Sequence, residues 1–418
     1  MSIRLGLFVI YIFGIHSRLR LFDGEQLLVP FVISFLIGMI FLTIHLPKYL
    51  HKNALPIFYL IGFFAISIIF GPNKMDALIL REKFLGFIQI ATSILISYAV
   101  FWELKKYSLA ILSKLFLSII IFILTGSLIE IFSSFKFIME DFMRPLYPPD
   151  AFYYSIENIQ RDISYYLFYR PKFLTSEPSY VGETISMLIL FWRLSTNLQN
   201  KNLIYILLLF ISFLIVRSPV ILTLVPIYFL INIFLEKKET YWKSRNFKFT
   251  SFLLIIIFSL ISYNIMKERI EQASFGLDNS LTMRIIAPTY ITYEVLSQYP
   301  LFGVGIAAKE STENIILDKF SQLGLAEYFD SNNIGLSTLI NKNHSYTLKF
   351  LTYFGILGTA FIILLLNRVM FICRVENLSF IYITFIILGF THGMLTGINT
   401  WTYFFICCSL VSHKNNRI

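Results

Sequence analysis

Charged residues are scarce in this chain: Asp, Glu, Lys and Arg together make up 14% of its 418 residues, and hydrophobic residues make up 56%. A soluble protein of this length could not cover its surface with so few charges. Apolar runs of about 17 residues or more recur from one end of the sequence to the other, which is typical of membrane-spanning helices. The composition therefore excludes a soluble globular protein and predicts an all-α polytopic integral membrane protein.

Cysteine is also rare, and no metal-binding motif is present. Cys373, Cys407 and Cys408 lie in or beside late apolar segments without metal-ligand spacing, so no disulfide framework is implied. The sequence contains no HExxH motif, no Walker loop and no DxD pair next to an apolar run. We expect neither a metal nor a cofactor. The apolar runs also lack charges near their centres, which argues against a proton- or ion-coupled carrier.

The apolar runs predict about twelve transmembrane helices in a single polytopic domain, residues 1–418, with no internal repeat and no soluble domain. The run from Asn202 to Leu235 is divided by Arg217-Ser218-Pro219, because proline disfavours a helix at the preceding residue. The predicted spans are 3–15, 26–46, 54–71, 84–103, 109–133, 180–195, 202–216, 219–235, 250–265, 344–366, 377–394 and 399–412.

The distribution of lysine and arginine predicts the orientation in the membrane, because short cytoplasmic loops carry an excess of these residues. One set of alternate connections, together with the two termini, holds sixteen lysine and arginine residues. The alternate short connections hold only six, namely Arg18, Arg20, Lys74, Arg81, Lys83 and Arg217. Both termini are therefore expected in the cytoplasm. Much of the net charge of +10 is then a topology signal, so we do not expect nucleic-acid binding.

Two long connections, 134–179 and 266–343, fall on the outer face by this alternation, as a first and a second large periplasmic loop. The first runs into the segment RPKFLTSEPSY, residues 170–180. Pro178 suits the first turn of a following helix, which Ser176 or Ser179 is expected to cap. Long structured loops on membrane proteins often carry function.

Five polar residues that are expected near this outer face form the candidate site: Arg170, Glu177, Arg217, Arg284 and His344. Arginine suits a phosphate or pyrophosphate because its planar fork makes paired, charge-assisted hydrogen bonds. Either Glu177 or His344 is then available as a general base toward a hydroxyl. Each residue also has a purely structural interpretation, such as an arginine that reaches lipid phosphate or a carboxylate at a helix start. Their joint placement at one interface favours the functional interpretation.

Glycines cluster in two later motifs, PLFGVG at residues 300–305 and FGILG at residues 354–358. Gly303, Gly305, Gly355 and Gly358 are expected to allow a tight turn and close helix packing. The Gly303-x-Gly305 spacing is too weak to indicate a nucleotide-binding loop.

The order of these motifs over residues 170–360 resembles the O-antigen polymerase (Wzy-type) and O-antigen ligase superfamily. The order is RPKFLTSEPSY, then Arg217-Ser218, then Arg284 ahead of PLFGVG, then His344 opening a span that contains FGILG. The resemblance implies a GT-C-like glycosyltransferase of the bacterial inner membrane. Such an enzyme works at the periplasmic face on an undecaprenyl-pyrophosphate-linked oligosaccharide and uses no nucleotide sugar.

The resemblance also implies roles for the candidate residues. Arg170, Arg217 and Arg284 would hold the pyrophosphate of the donor, and His344 matches the family's histidine at the start of the corresponding span. Ser345 stands where many members have asparagine. Glu177 matches the acidic residue of an EP dipeptide, and whether it activates the acceptor or only orders the loop stays open. The implied partners are the lipid-linked oligosaccharide, the bilayer and a chain-length regulator protein.

Two enzymatic functions fit this pattern, whereas a transport function and a scaffold function fit it less well. The SEPS-type motif favours an O-antigen polymerase over an O-antigen ligase, which would transfer the glycan to lipid A-core. A lipid-linked oligosaccharide flippase would require charges at mid-membrane and a two-fold repeat, and the sequence shows neither. A non-enzymatic scaffold gives no reason for matched arginines on the outer face.

Overall fold

The computed structural model describes residues 2–23, 26–49, 51, 54–71, 77–147, 160, 163, 169–235, 287–307, 312, 345–390 and 394–415. Every structural statement below concerns these residues. The candidates Arg284 and His344 and the predicted span 250–265 lie outside them.

The described part of the chain is about 80% helical, which confirms the predicted all-α class. Short 3₁₀ turns cover Ser67–Ile69, Arg144–Leu146 and Pro219–Thr223. The α-helices are α1 Ile3–Ser17, α2 Val32–Ile44, α3 Leu46–Tyr49, α4 Leu55–Ile66, α5 Ala77–Leu104, α6 Leu109–Phe132, α7 Phe135–Met143, α8 Pro178–Ser195, α9 Lys201–Val216, α10 Leu224–Phe234, α11 Ala287–Gln298, α12 Tyr346–Ile372, α13 Leu378–Gly389 and α14 Ile398–Asn415.

Several of these helices are long and apolar enough to cross a membrane. Within the described ranges, length and hydropathy select Ile79–Leu104, Leu109–Phe132 and Tyr346–Ile372. Six further apolar helices are shorter, at Ile3–Ser17, Val32–Ile44, Leu55–Ile69, Lys201–Val216, Pro219–Asn232 and Leu378–Gly389. The helices therefore support a membrane protein, whereas the total of about twelve spans stays a prediction.

The predicted span 26–46 is wrong at its start. Gln26–Val29 pairs in antiparallel register with Leu21–Asp23 to form a short hairpin, strands β1 and β2 in chain order. The chain then turns at Phe31, which has a left-handed backbone with φ 60°, and the Val32 amide donates to the Leu19 carbonyl at 2.9 Å. Pro30 has no amide proton, so it cannot continue the hydrogen-bonded pairing of β2. Helix α2 starts only after this turn.

Helices α5 and α14 run side by side in the same direction at the centre of the bundle. Ser93 donates to the Thr396 carbonyl at 2.8 Å, and the Ser97 and Thr402 hydroxyls lie 3.0 Å apart. The Tyr11 hydroxyl of α1 lies 2.5 Å from the Thr402 hydroxyl. These hydroxyls satisfy one another inside an otherwise apolar core, where an unpaired polar group would be costly.

One end of the bundle is marked by the fully buried carboxylate of Glu103 near the end of α5. Its Oε2 lies 2.8 Å from His45 Nε2 and accepts from Lys106 Nζ at 3.0 Å. Arg4 of α1 reaches within 4.0 Å of the same carboxylate. We call this the Glu103 end.

The C-terminal helix finishes at the Glu103 end as well. The Cys373 carbonyl, just after α12, accepts from Lys105 Nζ at 3.1 Å and from the Ser412 hydroxyl at 3.0 Å. Because Lys105 follows Glu103 in the chain, both the start of α1 and the end of α14 lie at this end. The opposite end, where α1 finishes and α8 and α14 begin, is called the Arg18 end.

The PLFGVG and FGILG motifs bind each other through their backbones. Helix α12 is interrupted at Gly355, whose φ of 61° and ψ of −168° are essentially restricted to glycine. The interruption frees a carbonyl before it and an amide after it: Val304 N donates to Thr352 O at 3.1 Å, and Ile356 N donates to Pro300 O at 2.9 Å. The turn expected of Gly303, Gly305 and Gly355 is confirmed by their positive φ. Their close packing is confirmed because a Cβ added at each would lie less than 3.0 Å from backbone atoms.

Candidate functional site

The segment RPKFLTSEPSY is held at the Arg18 end by the buried carboxylate of Glu130, near the end of α6. The Lys172 amide donates to both Glu130 oxygens, at 3.0 and 3.1 Å, and the Phe173 amide donates at 2.7 Å. The Tyr169 hydroxyl donates at 3.0 Å. Charge-assisted bonds of this kind are the stronger class of hydrogen bond. They fix the Tyr169 side chain just before Arg170 and the backbone at Lys172 and Phe173 after it. Arg170 itself is half-buried.

A second contact holds the same segment against α1. The His16 Nε2 atom lies 2.8 Å from the Phe173 carbonyl oxygen. The Phe173 ring packs against Phe122 with centroids 5.5 Å apart, and it lies directly on Gly126, where a Cβ would overlap the ring. The segment is thus part of the helical core rather than a solvated linker.

A shallow pocket lies beside the segment, between it and α7. Burial lowers the pKa of Lys172, one of its lining residues, while the Glu140 and Glu130 carboxylates oppose that shift. The other lining residues are Glu130, Lys136, Met139, Glu140, Met143, Phe173, Leu174 and Thr175.

Helix α8 begins at Pro178, as predicted from the preference of proline for a first turn. The prediction that Ser176 or Ser179 caps it is wrong, because the N-cap position is occupied by Glu177, which makes no side-chain cap bond. Instead the Ser179 hydroxyl donates to Glu177 Oε2 at 3.0 Å. Glu177 is half-buried, so it stays partly accessible at the N-terminal end of α8.

Arg18 and Glu183 form an ion pair that the sequence analysis did not anticipate. Arg18 is 4% exposed and Glu183 is 5% exposed, and the Arg18 Nη2 atom contacts Glu183 Oε1. Asn399 Nδ2 donates to the same oxygen at 3.2 Å. The pair therefore joins the end of α1 to the starts of α8 and α14. The sequence signal was available, since charges of opposite sign near the ends of two apolar runs must be paired if they are buried.

Tyr180, the last residue of RPKFLTSEPSY, lies between two arginines. The Arg18 guanidinium carbon is 3.8 Å from the centre of the Tyr180 ring, and Arg20 Nη2 donates to the Tyr180 hydroxyl at 3.4 Å. Tyr147, from the first large loop, donates its hydroxyl to the Ser17 carbonyl. Burial raises the pKa of Tyr147, and the Arg20 and Arg18 charges oppose that rise, which indicates that both guanidiniums act on this side chain.

Arg217 reaches the same end of the bundle by a separate route. It caps α9 with a left-handed backbone of φ 51°, and its Nε donates to the Leu214 carbonyl at 3.4 Å. Burial lowers its pKa. The next residue, Ser218, packs so closely on Gly182 of α8 that a Cβ at Gly182 would overlap the serine Cβ. The backbone next to Arg217 is thus held against the second turn of α8.

The Arg18 end therefore gathers part of the predicted site and adds residues to it. Arg170, Glu177 and Arg217 come to this end of the bundle, while Arg284 and His344 fall outside the described residues. The structure adds Arg18, Arg20, Glu130, Tyr180, Glu183 and Asn399. Among the described residues no group of three or more His, Cys, Asp or Glu side chains could hold a metal ion. The arrangement offers guanidinium donors for an anion and one partly accessible carboxylate for proton transfer.

Comparison with known proteins supplies no relative for this chain. No protein-family model matches it, no curated protein matches it, and no solved structure matches it.

Proposed function

We propose that the protein is an O-antigen polymerase, a glycosyltransferase that acts on lipid-linked repeat units at the periplasmic face of the bacterial inner membrane. It transfers a growing glycan from undecaprenyl pyrophosphate to the next lipid-linked repeat unit. One observation carries the proposal: the arginine-bearing segment 170–180 is anchored at the same end of the bundle as Arg20 and Arg217. A half-buried carboxylate, Glu177, lies within that segment.

The chemistry requires positive charge and a base. The bond between the donor's anomeric carbon and the pyrophosphate oxygen breaks, and a hydroxyl of the acceptor sugar forms the new glycosidic bond. Arg170, Arg217 and Arg284 bind the pyrophosphate and stabilise the charge that develops on it. Glu177 or His344 accepts the proton of the hydroxyl. The arginines supply the positive charge that a divalent metal would otherwise provide.

The proposed orientation places the Arg18 end in the periplasm and the Glu103 end in the cytoplasm, with about twelve spans between them. Two observations support it. Arg4 of α1 and Ser412 of α14 lie at the same end of the bundle, which agrees with both termini on one side. The Glu103 end also carries Lys105 and Lys106, and lysine in short loops is enriched on the cytoplasmic side.

An assay with the purified protein and a defined lipid-linked repeat unit tests the proposal. We expect a ladder of polymers without any nucleotide sugar and in the presence of a metal chelator. Arg170→Ala should abolish the ladder. Arg144→Ala removes a side chain of the same charge from the same loop, but one that is exposed. This variant should still form the ladder. Absence of a ladder with the unmodified protein would reject the polymerase activity.

Cells lacking the protein separate the polymerase from the ligase. Loss of a polymerase should leave lipid A-core that carries a single repeat unit. Bare core together with accumulated lipid-linked polymer would instead assign the ligase reaction, and the SEPS-type motif at residues 176–179 favours the first result.

A further inference from the structure

Arg20 lies in the first short connection, where the sequence indicated only a contribution to membrane topology. In the structure its Nη2 donates to the hydroxyl of Tyr180 at 3.4 Å, and the Tyr180 amide donates to the Glu177 carbonyl at 3.1 Å. We infer that Arg20 is a further substrate-binding arginine, which contacts a phosphate oxygen of the lipid-linked diphosphate. The inference rests on the proposed function and extends its site to the loop between α1 and α2.

Arg18, the buried neighbour of Arg20, holds the Tyr180 side chain that Arg20 contacts. The Arg18 guanidinium stacks on the face of the Tyr180 ring and is ion-paired with Glu183. Tyr180 is thereby held on its face by one arginine and contacted at its hydroxyl by the other. Since Arg18 is 4% exposed and its charge is matched by Glu183, we assign it a positioning role and not a contact with substrate.

Arg20 differs from Arg18 in both accessibility and pairing. Its side chain is half-buried, and among the described residues its guanidinium makes one hydrogen bond, to Tyr180. An arginine has five N–H donors, so several remain for an anion. No carboxylate of the described residues forms an ion pair with Arg20 under 4.0 Å.

The surroundings suit a phosphate group. The planar fork of arginine matches phosphate oxygens in a paired arrangement that lysine does not reproduce. The site lies at the end of a bundle of apolar helices, where a diphosphate can sit while its prenyl chain stays among the spans. Tyr147 lies beside the connection that carries Arg20, because its hydroxyl donates to the Ser17 carbonyl.

Binding of two probes by the purified protein in nanodiscs tests the inference. The probes are inorganic pyrophosphate and farnesyl diphosphate, a short soluble prenyl diphosphate. We expect Arg20→Ala to raise the Kd for both probes about tenfold, as the loss of one charge-assisted hydrogen bond would. Arg20→Lys should recover only part of the affinity, because it restores the charge without the fork. Arg144→Ala serves as the matched charge control and should bind like the unmodified protein.

A tyrosine variant keeps the test valid if Arg20→Ala disturbs folding. Tyr180→Phe retains the ring that stacks on Arg18 and removes only the hydroxyl that contacts Arg20. We expect a weaker affinity for both diphosphates at an unchanged Tm. Tyr180→Leu should lower the Tm as well, since it removes the ring. Unchanged affinity in both Arg20→Ala and Tyr180→Phe would overturn the inference.

The same measurements show whether Arg20 binds a diphosphate or the phosphate of bulk lipid. They also distinguish a failure of the role inferred for Arg20 from a failure of the proposed function. If Arg20→Ala changes only the association with phosphatidylglycerol in the nanodisc and leaves both diphosphate affinities intact, Arg20 contacts bulk lipid and the inference is wrong. If Arg170→Ala and Arg217→Ala lose diphosphate binding but Arg20→Ala does not, the inference fails while the proposed function stands. If the unmodified protein binds neither probe, both fail.

Discussion

Arg18, directly after α1, and Glu183, in the second turn of α8, form a buried ion pair at the point where α1, α8 and α14 meet. Asn399 completes the pairing of the carboxylate, and the Tyr180 ring covers one face of the guanidinium. A charge in this position cannot be removed without leaving its partner unpaired in a medium of low dielectric constant. The pair therefore connects the stability of the bundle to the geometry of the proposed site.

Arg18→Ala should lower the free energy of unfolding by about 3–5 kcal/mol, because Glu183 is left charged and buried. The double variant Arg18→Met/Glu183→Met should lose less than the sum of its single changes, since neither charge remains. Denaturant titration in detergent micelles measures both quantities. The partly exposed pair Arg144–Glu140, 3.6 Å apart, is the matched control and should show a coupling of about 0–1 kcal/mol. Equal coupling in the two pairs would contradict a buried role for Arg18.

Glu130→Gln should release the segment that carries Arg170. The carboxylate accepts two main-chain amides and one hydroxyl, and an amide side chain would place a donor against donors. We expect a loss of about 2 kcal/mol in stability, together with faster hydrogen exchange of the Lys172 and Phe173 amides. Mass spectrometry of a peptide covering residues 169–177 measures that exchange.

Glu140→Gln provides the comparison for this change. Glu140 lies in the neighbouring helix α7, but its carboxylate accepts no main-chain amide of the described residues and its ion-pair partner Arg144 is exposed. Its loss should alter neither stability nor exchange by a measurable amount. Equal exchange rates in the Glu130 and Glu140 variants would show that the segment is held by other contacts.

Gly355→Ala should weaken the contact between PLFGVG and α12. The backbone at Gly355 has φ 61° and ψ −168°, and an added Cβ would lie 2.5 Å from the Leu301 carbonyl carbon. The backbone strain alone costs about 1–3 kcal/mol, so we expect the Tm to fall clearly. Gly62→Ala, at a helical position with nothing within 4 Å of the added Cβ, should leave the Tm unchanged or raise it. Similar Tm values for the two variants would be inconsistent with the interrupted helix.

Gly182→Ala should displace the loop that carries Arg217, because the new Cβ would overlap Ser218. If the proposed function holds, the ladder assay should show less polymer and pyrophosphate should bind more weakly. The second-site change Ser218→Gly removes the overlapping atom and should restore both properties in the double variant. Failure of this rescue would indicate that Gly182 matters for a reason other than its contact with Ser218.

Much of the architecture could be predicted from the sequence. The helices α6, α8 and α9 begin and end within two residues of the predicted spans 109–133, 180–195 and 202–216, because apolar runs bounded by Ser108, Pro178 and Arg217 carry their own start and stop signals. The hairpin at 21–29 was missed since Gln26–Val29 reads as the beginning of an apolar run. Only the return of the chain to pair with Leu21–Asp23 distinguishes it from a helix.

For the candidate site, hydropathy and charge alone determined that arginines and a carboxylate lie at the ends of apolar helices, since each helix must bury its own backbone and exclude charge from its centre. Tertiary structure decided which charges face each other. Arg18 meets Glu183, Glu130 holds the backbone after Arg170, and Arg20 meets Tyr180. These pairs are formed by residues far apart in the chain. Their choice depends on how the helices pack against one another, a property that no local pattern encodes.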